Sequence, residues 1–318
     1  LTVARPLGAN DLEILADESD LVRLGHDVAA QGAISEPRAR RAVAALRRYR
    51  LLAEMLSAQV LCVATESVRG ASNGALMLRR AREEAGVEVL TITGEQEGAL
   101  GYWGATSGVS HITGQRMVID MGGGSLQLTV GTGSRIAWRT SVPLGAGTVR
   151  DRYGLGNPPS LAQLDHAYQA VREILREYQP PQPLEEVSVC GGTAGAIAAL
   201  IQQLYGDDRH RVVPRNGRLI EVTGQRTITR HHLECLLAVL RDEPAEQLAA
   251  RFSIKAARAR ILAAGVVSLL GSLEHVSVSR ARISRRGIRE GMILAWLHAG
   301  RGWLDLASSG AGWADAHG

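Results

Sequence analysis

The segment Asp120-Met-Gly-Gly-Gly-Ser125 holds the residues of this chain best suited to chemistry. A β-branched run ending in Val118-Ile119 delivers Asp120 to a strand end, three glycines follow, and residues 126–130 begin a second strand. With no bulky side chain in the way, the amides of Gly122, Gly123 and Gly124 can approach and hold an anion, with Ser125 beside them. Asp120, at the lip of the turn, offers the hard oxygen that a cation accompanying a phosphate chain prefers. A strand–turn–strand differs from the glycine turn that opens a helix in dinucleotide-binding and P-loop proteins. A tight hairpin with an aspartate at its start would use the same residues, so the segment alone is moderately specific.

A second segment raises its value. Val187-Ser-Val-Cys190 is a short apolar strand, Gly191-Gly192-Thr193 a turn, and the Ala-rich run to Leu200 a helix. The N-terminus of that helix offers unpaired N–H groups and a partial positive charge. Two anion-friendly turns suggest two lobes facing one phosphate chain.

Elements must position these turns, and the bulk properties bound what those elements can be. At 318 residues two domains are the natural expectation, and 45% apolar residues allow a sizeable core. No uninterrupted apolar run approaches the ~20 residues of a spanning helix, and no signal-peptide pattern opens the chain; the reading is cytoplasmic. Cys62, Cys190 and Cys235 lack metal-ligand spacing and sit in apolar contexts, as buried free thiols would. A formal charge of +4 suits an anionic partner weakly. Lys255 is the only lysine and lies in no motif, which argues against P-loop and Schiff-base chemistry.

Along the chain, residues 1–5, 13–16 and 21–24 read as short strands. Ser35-Glu36-Pro37 starts a helix that keeps Val43, Leu46, Tyr49, Ala53 and Leu56 on one stripe. Arg40, Arg41, Arg47, Arg48 and Arg50 fall on its other faces, as a solvated surface would. Buried strands are expected at 60–64 and 87–92, helices at 68–84 and 95–105, and a strand at 116–120. This alternation argues α/β with a mixed sheet. After the glycine hairpin come a strand at 135–141 and helices at 147–153 and 161–178, the last stopped by Pro180-Pro181. Residues 206–226 read as irregular and Arg-rich. Three helices open near Thr229, Pro244 and Ala256, followed by a strand at 276–279, a helix at 287–298 and a Gly/Ala/Ser-rich flexible tail at 300–318.

At this point the residues resemble the exopolyphosphatase and guanosine pentaphosphate phosphohydrolase family, within the actin-like ATPase fold superfamily. The matching blocks, in order, are Ala64-Thr-Glu-Ser-Val-Arg-Gly-Ala-Ser-Asn73, Thr93-Gly-Glu-Gln-Glu-Gly-Ala-Leu100, Asp120-Met-Gly-Gly-Gly-Ser-Leu-Gln-Leu128, Ser141-Val-Pro-Leu-Gly145, Gly191-Gly-Thr-Ala194 and Arg286-Gly-Ile-Arg-Glu-Gly291. The resemblance implies an α/β fold of two actin-like (ribonuclease H-like) domains with a cleft between them. The first would span 1–116, completed by the helix at 287–299, and the second 117–286.

By the same resemblance, polyphosphate or a guanosine tetra- or pentaphosphate enters the cleft and water attacks its terminal phosphorus. Glu97 matches the catalytic glutamate that orients and deprotonates that water; a first-turn acid favouring the helix dipole is the bland alternative. Arg69 matches an arginine able to grip two phosphate oxygens. Asn73, four residues on, is expected to cap a helix or line the cleft on the same helix face. Gly122, Gly123, Gly124, Ser125, Gly191, Gly192 and Thr193 would cradle phosphates. Asp120 would hold Mg²⁺ or another divalent cation. A homodimer, with no membrane or nucleic-acid partner, is the family-level expectation.

Two departures stand out. Family members open with a strand carrying Asp, Gly and Ser, and residues 1–5 look like the strand after it, so truncation or cleavage before Leu1 is expected. Gln127 stands where the family usually has glutamate, a possible metal ligand whose charge is lost here. Arg260 replaces a common acid and is expected on a helix surface. The Arg-rich stretches 209–230 and 280–289 are candidates for the exit path of a long anion. His231 and His232 are adjacent, so they face different ways, and Trp103 reads as packing. The expectation is an exopolyphosphatase, with a guanosine pentaphosphate hydrolase or a phosphate-binding sensor without turnover as alternatives. A sugar or acetate kinase of the same superfamily ranks last.

Overall fold

The computed structural model describes residues 1–20, 22, 24–109, 112–206, 210–215, 218–223 and 227–313. The chain forms two compact units. The first comprises Leu1–Ser110, Gly133–Ile136 and Arg286–Gly318, the second His111–Thr132 and Ala137–Arg285.

The first unit starts with an antiparallel pair, β1 (Thr2–Pro6) and β2 (Leu12–Asp17). Where a third strand was expected at 21–24, Leu24 instead opens α1 (Leu24–Gln31). This helix places Asp27 against the start of α2 (Glu36–Met55), where Asp27 accepts from Ser35 N–H (3.2 Å) and Arg38 Nε (2.6 Å). Ser35 occupies the expected N-cap position, but its hydroxyl bonds Asp27 and not the helix amides. Arg40, Arg41, Arg47, Arg48 and Arg50 of α2 are exposed, as expected, and four of them pair with acids: Arg40 with Glu36, Arg50 with Glu54, Arg47 with Glu84 and Arg48 with Asp20.

The strands β3 (Val63–Ala64) and β4 (Leu90–Thr91) are parallel and shorter than the pattern implied, and both residues of β4 are exposed. The helix expected at 68–84 is two helices, α3 (Glu66–Arg69) and α4 (Gly74–Ala85). The chain turns between them, and a side chain at Gly74 would collide with the Val68 carbonyl. α5 (Gly94–Thr106) follows, opened by a reciprocal capping box between Thr93 and Gln96. It is not amphipathic: every residue from Gln96 to Thr106 is buried.

The second unit is built on a six-stranded mixed sheet in the order β11-β12-β8-β5-β6-β7. Its chain order runs β5 (Arg116–Met121), β6 (Leu126–Thr132), β7 (Arg135–Val142), α6 (Ala146–Arg152), α7 (Leu161–Leu175), β8 (Glu186–Cys190) and α8 (Gly192–Tyr205). β9 (His210–Arg215) and β10 (Arg218–Thr223) then pair antiparallel, where an irregular segment was expected. β11 (Thr227–Thr229), α9 (Arg230–Asp242), α10 (Ala245–Arg251), α11 (Ala256–His275) and β12 (Arg280–Ile283) complete it. The strand expected at 276–279 begins later because Val276 still caps α11 and Ser277 turns the chain at φ 56°. β12 then runs parallel to β8, where Arg282 Nε meets Glu186 at 3.0 Å.

β5, β6 and β8 bury almost every residue. Met117, Ile119, Leu126 and Leu128 pack with Leu144, Val171, Ile197 and the α11 residues Leu262 and Val266 in one core. α11 is long and apolar enough to cross a membrane, but 72% of its apolar window is buried in the unit as a core helix.

The chain then returns to the first unit as α12 (Ile288–Ala299), a 3₁₀ turn (Gly300–Gly302) and α13 (Trp303–Ser309). The segment read as a flexible tail is therefore packed as far as Trp313. Trp303 is buried, and Trp313 stacks on His298 with 4.2 Å between ring centroids. Trp313 Nε1 also donates to Asn10 Oδ1 at 2.7 Å.

Candidate active site

β5 and β8 are parallel neighbours in register, Asp120 opposite Cys190, so the glycine turns that follow them emerge at the same sheet edge. Both turns thus belong to the second unit, which corrects the expectation of one turn on each of two lobes. Binding at the carboxyl ends of adjacent parallel strands is a general property of open α/β sheets. Thr193 Oγ1 donates to Gly122 O at 3.3 Å and ties the turns together. Gly191 has φ +94°, and a side chain there would collide with Asp120 Oδ1 and Met121 O. Only glycine lets β8 turn this close to the carboxylate.

The first turn is oriented by α6. The carbonyl of Gly122 accepts from Ala146 N–H (3.2 Å), and that of Gly123 from Gly147 N–H (2.7 Å) and Thr148 N–H (3.2 Å). The carbonyl of Gly124 accepts from Thr148 Oγ1 (2.6 Å). In a trans peptide the N–H points opposite the preceding C=O. With three successive carbonyls turned into α6, the amides of Gly123, Gly124 and Ser125 face the other way, as an anion cradle requires. A side chain at Gly145, the residue before α6, would collide with the backbone of Gly124 and Ser125, whereas a Cβ on Gly123 meets open space.

Gln127, 2% exposed, sits directly across the β5–β6 ladder from Asp120, which is 5% exposed. Its Nε2 donates to Ser125 Oγ (2.7 Å) and Ser141 Oγ (3.0 Å). A cluster of three His, Cys, Asp or Glu side chains suited to a metal is absent among the described residues. One buried carboxylate at a phosphate cradle still fits Mg²⁺, which keeps waters and takes its other oxygens from substrate phosphates.

Sequence reasoning missed Arg258. It sits in the first turn of α11, half-buried, with Nη1 3.5 Å from Thr193 Oγ1 and its guanidinium beside Gly192. Burial pushes its pKa down from the ordinary value, and a desolvated guanidinium at a glycine turn is a strong partner for a phosphate oxygen. Arg260, two residues on, faces outward and pairs with Glu246, as the surface reading expected. An arginine near the start of an otherwise apolar helix was the available signal.

The first unit holds Glu97 and Arg69. Glu97 is 4% exposed in α5, and Arg69 Nη1 lies 3.2 Å from its Oε1 while also donating to the carbonyl of Ile92. α5 is pinned against α12 at two glycines. A side chain on Gly104 would strike Gly287 O, and one on Gly291 would strike Leu100 O. Asn73 is not on the helix of Arg69. It stands at the N-cap position of α4, but its side chain makes no capping bond and instead pairs both ways with the backbone of Ile34 at 2.8 Å.

The Arg286–Gly291 block is structural. Arg286 bonds Asp11 Oδ1 (2.6 Å), Ser107 Oγ (3.0 Å) and Leu12 O (2.8 Å). Glu290 accepts from Gly287 N–H at 2.7 Å. With Arg282 on Glu186 and Arg289 on Asp17, these three arginines of the 280–289 stretch hold the fold, contrary to the exit-path expectation. In the other stretch Arg209 and residues 216–217 and 224–226 lie outside the described residues, and Arg230 approaches Glu274 at 3.7 Å. Trp103 is packed, with Nε1 on Ser134 O at 2.7 Å. His231 lies against Cys235 and His232 stacks on Tyr205, so the pair does face different ways. None of the three cysteines forms a disulfide, and only Cys190 is fully buried.

Comparison with known proteins agrees with this geometry. The Ppx/GppA phosphatase family matches residues 2–299. A solved structure of the Aquifex aeolicus PPX-GPPA enzyme is 25% identical, covers 92% of this chain and 94% of its own, and superposes with a TM-score of 0.73. An exopolyphosphatase from Cytophaga hutchinsonii, 20% identical over 96% of this chain and 93% of its own, shares the fold with a TM-score of 0.75. The expected α/β class of these enzymes is the one found, and the chain is a phosphoanhydride hydrolase belonging to the Ppx/GppA phosphatase family.

Proposed function

We propose that this enzyme is an exopolyphosphatase, removing orthophosphate from the end of inorganic polyphosphate. The observation that carries the reading is the pair of glycine turns side by side around Asp120, with Arg258 behind the second. The outward amides of the first turn and the N-terminus of α8 at the second bind successive phosphate groups, and Ser125 and Thr193 add hydroxyls. The reaction requires Glu97 and Arg69 to act on the same chain of phosphates. Arg69 takes oxygens of the terminal phosphoryl group, and Glu97 accepts a proton from the attacking water. The new P–O bond to water forms as the anhydride P–O bond breaks, leaving orthophosphate and a chain one unit shorter. Asp120 would hold a divalent cation, which supplies charge neutralisation for the phosphates when bound.

The +4 charge and a 4% aromatic content favour polyphosphate over guanosine pentaphosphate, whose base calls for a stacking surface. The amide at Gln127 favours a second reading, a polyphosphate sensor in which affinity exceeds turnover. Phosphate release from long-chain polyphosphate and from guanosine pentaphosphate, with Glu97→Ala alongside, separates the three. Release from polyphosphate that Glu97→Ala abolishes is the expected result. Release from the nucleotide alone would replace polyphosphate as the substrate, and tight binding with no release in either protein would leave the sensor.

A further inference from the structure

Gln127 does more in this site than occupy a strand position. Its Nε2 hydrogens both go to hydroxyl oxygens, Ser125 Oγ at 2.7 Å and Ser141 Oγ at 3.0 Å. A hydroxyl has one proton and two lone pairs. An oxygen that accepts from the amide keeps its own proton for another acceptor. For Ser125, at the end of the glycine turn whose amides face away from α6, that acceptor is an anion bound in the turn. A carboxylate in the same place reverses the polarity, because it has no proton to give and would draw both serine protons inward. It would also stand directly across the ladder from Asp120, two buried carboxylates on facing residues, which repel one another and any phosphate between them.

We infer that Gln127 is a positioning residue that fixes the Ser125 hydroxyl as a donor to a phosphate oxygen and keeps this corner at a single negative charge, so that the glycine turn binds phosphate directly. The inference rests on the phosphate-binding reading of the turn but not on turnover. Ser141 completes the arrangement as the second acceptor, using the amide hydrogen that would otherwise be left unpaired at a 2% exposed side chain.

The test is binding of inorganic tripolyphosphate to the full chain in EDTA by isothermal titration, which reads affinity whether or not the enzyme turns over. Loss of one hydrogen bond to a charged group weakens binding about tenfold, so Ser125→Ala and Gln127→Leu should each raise Kd about tenfold. The double variant should be no weaker than Ser125→Ala alone, because Gln127 acts through that hydroxyl. Additive losses, or wild-type affinity in folded Gln127→Leu, would overturn the inference. Should Gln127→Leu fail to fold, Gln127→Glu carries the same question. Its carboxylate should weaken tripolyphosphate at pH 8 by about tenfold or more relative to wild type. Wild-type affinity of Gln127→Glu at pH 8 would mean that the amide oxygen faces the serines, and the inference would fall. If wild-type protein itself does not bind tripolyphosphate, the phosphate-binding reading fails first.

Discussion

Arg69 Nη1 stands 3.2 Å from Glu97 Oε1, so the carboxylate proposed to activate water is held by the cation proposed to grip phosphate. The arginine keeps about a third of its side-chain surface exposed while the glutamate is nearly buried. In the proposed mechanism an arriving phosphate would compete with Glu97 for this guanidinium.

Glu97→Gln preserves the shape of this pair and removes the base, and kcat should fall by about 10²–10⁴ with KM little changed. Arg69→Ala should lower kcat by about 10²–10³ through lost transition-state charge stabilisation. Steady-state phosphate release reads both. Wild-type kcat in folded Arg69→Ala would remove Arg69 from the reaction.

Arg258 and Arg260 form an internal control on one helix. Arg258→Gln should raise KM for polyphosphate about tenfold or more, since it removes a charged hydrogen-bond donor at the second turn. Arg260→Gln breaks only the exposed pair with Glu246 and should leave KM within about twofold. Equal effects would remove Arg258 from the site.

Gly191→Ala places a methyl group against the Asp120 carboxylate and Met121 O at φ +94°, where a side chain is also strained. The cost should be about 1–3 kcal/mol in unfolding free energy, with activity falling further as the carboxylate is pushed aside. Gly195→Ala, later in α8 where a Cβ meets nothing within 4 Å, is the matched control and should keep activity. Denaturant melts with activity assays distinguish the two.

Asp27 provides a pH test of stability. Burial raises its pKa, but hydrogen bonds from Ser35 and Arg38 and the charge of Arg38 outweigh it and hold the group at about 2. Its folded pKa lies below the ordinary 3.8, so its contribution is complete above that value and is lost as pH falls toward 2. Asp27→Asn should therefore be destabilised at pH 7 and should lose less stability than wild type between pH 4 and about 2. Parallel melts of both proteins over that range decide it.

The sequence made β5, β6, α5, α12 and both glycine turns legible, because apolar runs and glycine punctuation are local signals. The turns taken by themselves suggested opposite lobes, since nothing local says that β8 inserts beside β5, whereas the domain bounds implied by the resemblance, 117–286, hold both. Arg258 and Arg260 look alike in the sequence. Only the tertiary placement of Thr193 against one and Glu246 against the other separates them. The break between Arg69 and Asn73 was hidden for a similar reason, as Asn73 is committed to the distant backbone of Ile34. The packed tail depends on Trp313 finding His298 and Asn10, contacts that its Gly/Ala-rich surroundings do not advertise.

The most direct measurement is hydrolysis of long-chain polyphosphate in heavy-oxygen water, with Glu97→Gln as the comparison. Orthophosphate carrying one solvent oxygen, released by the wild type and lost in the variant, is what two phosphate-gripping turns and a water-activating glutamate predict. Release without solvent oxygen, or at the same rate in the variant, would contradict the account.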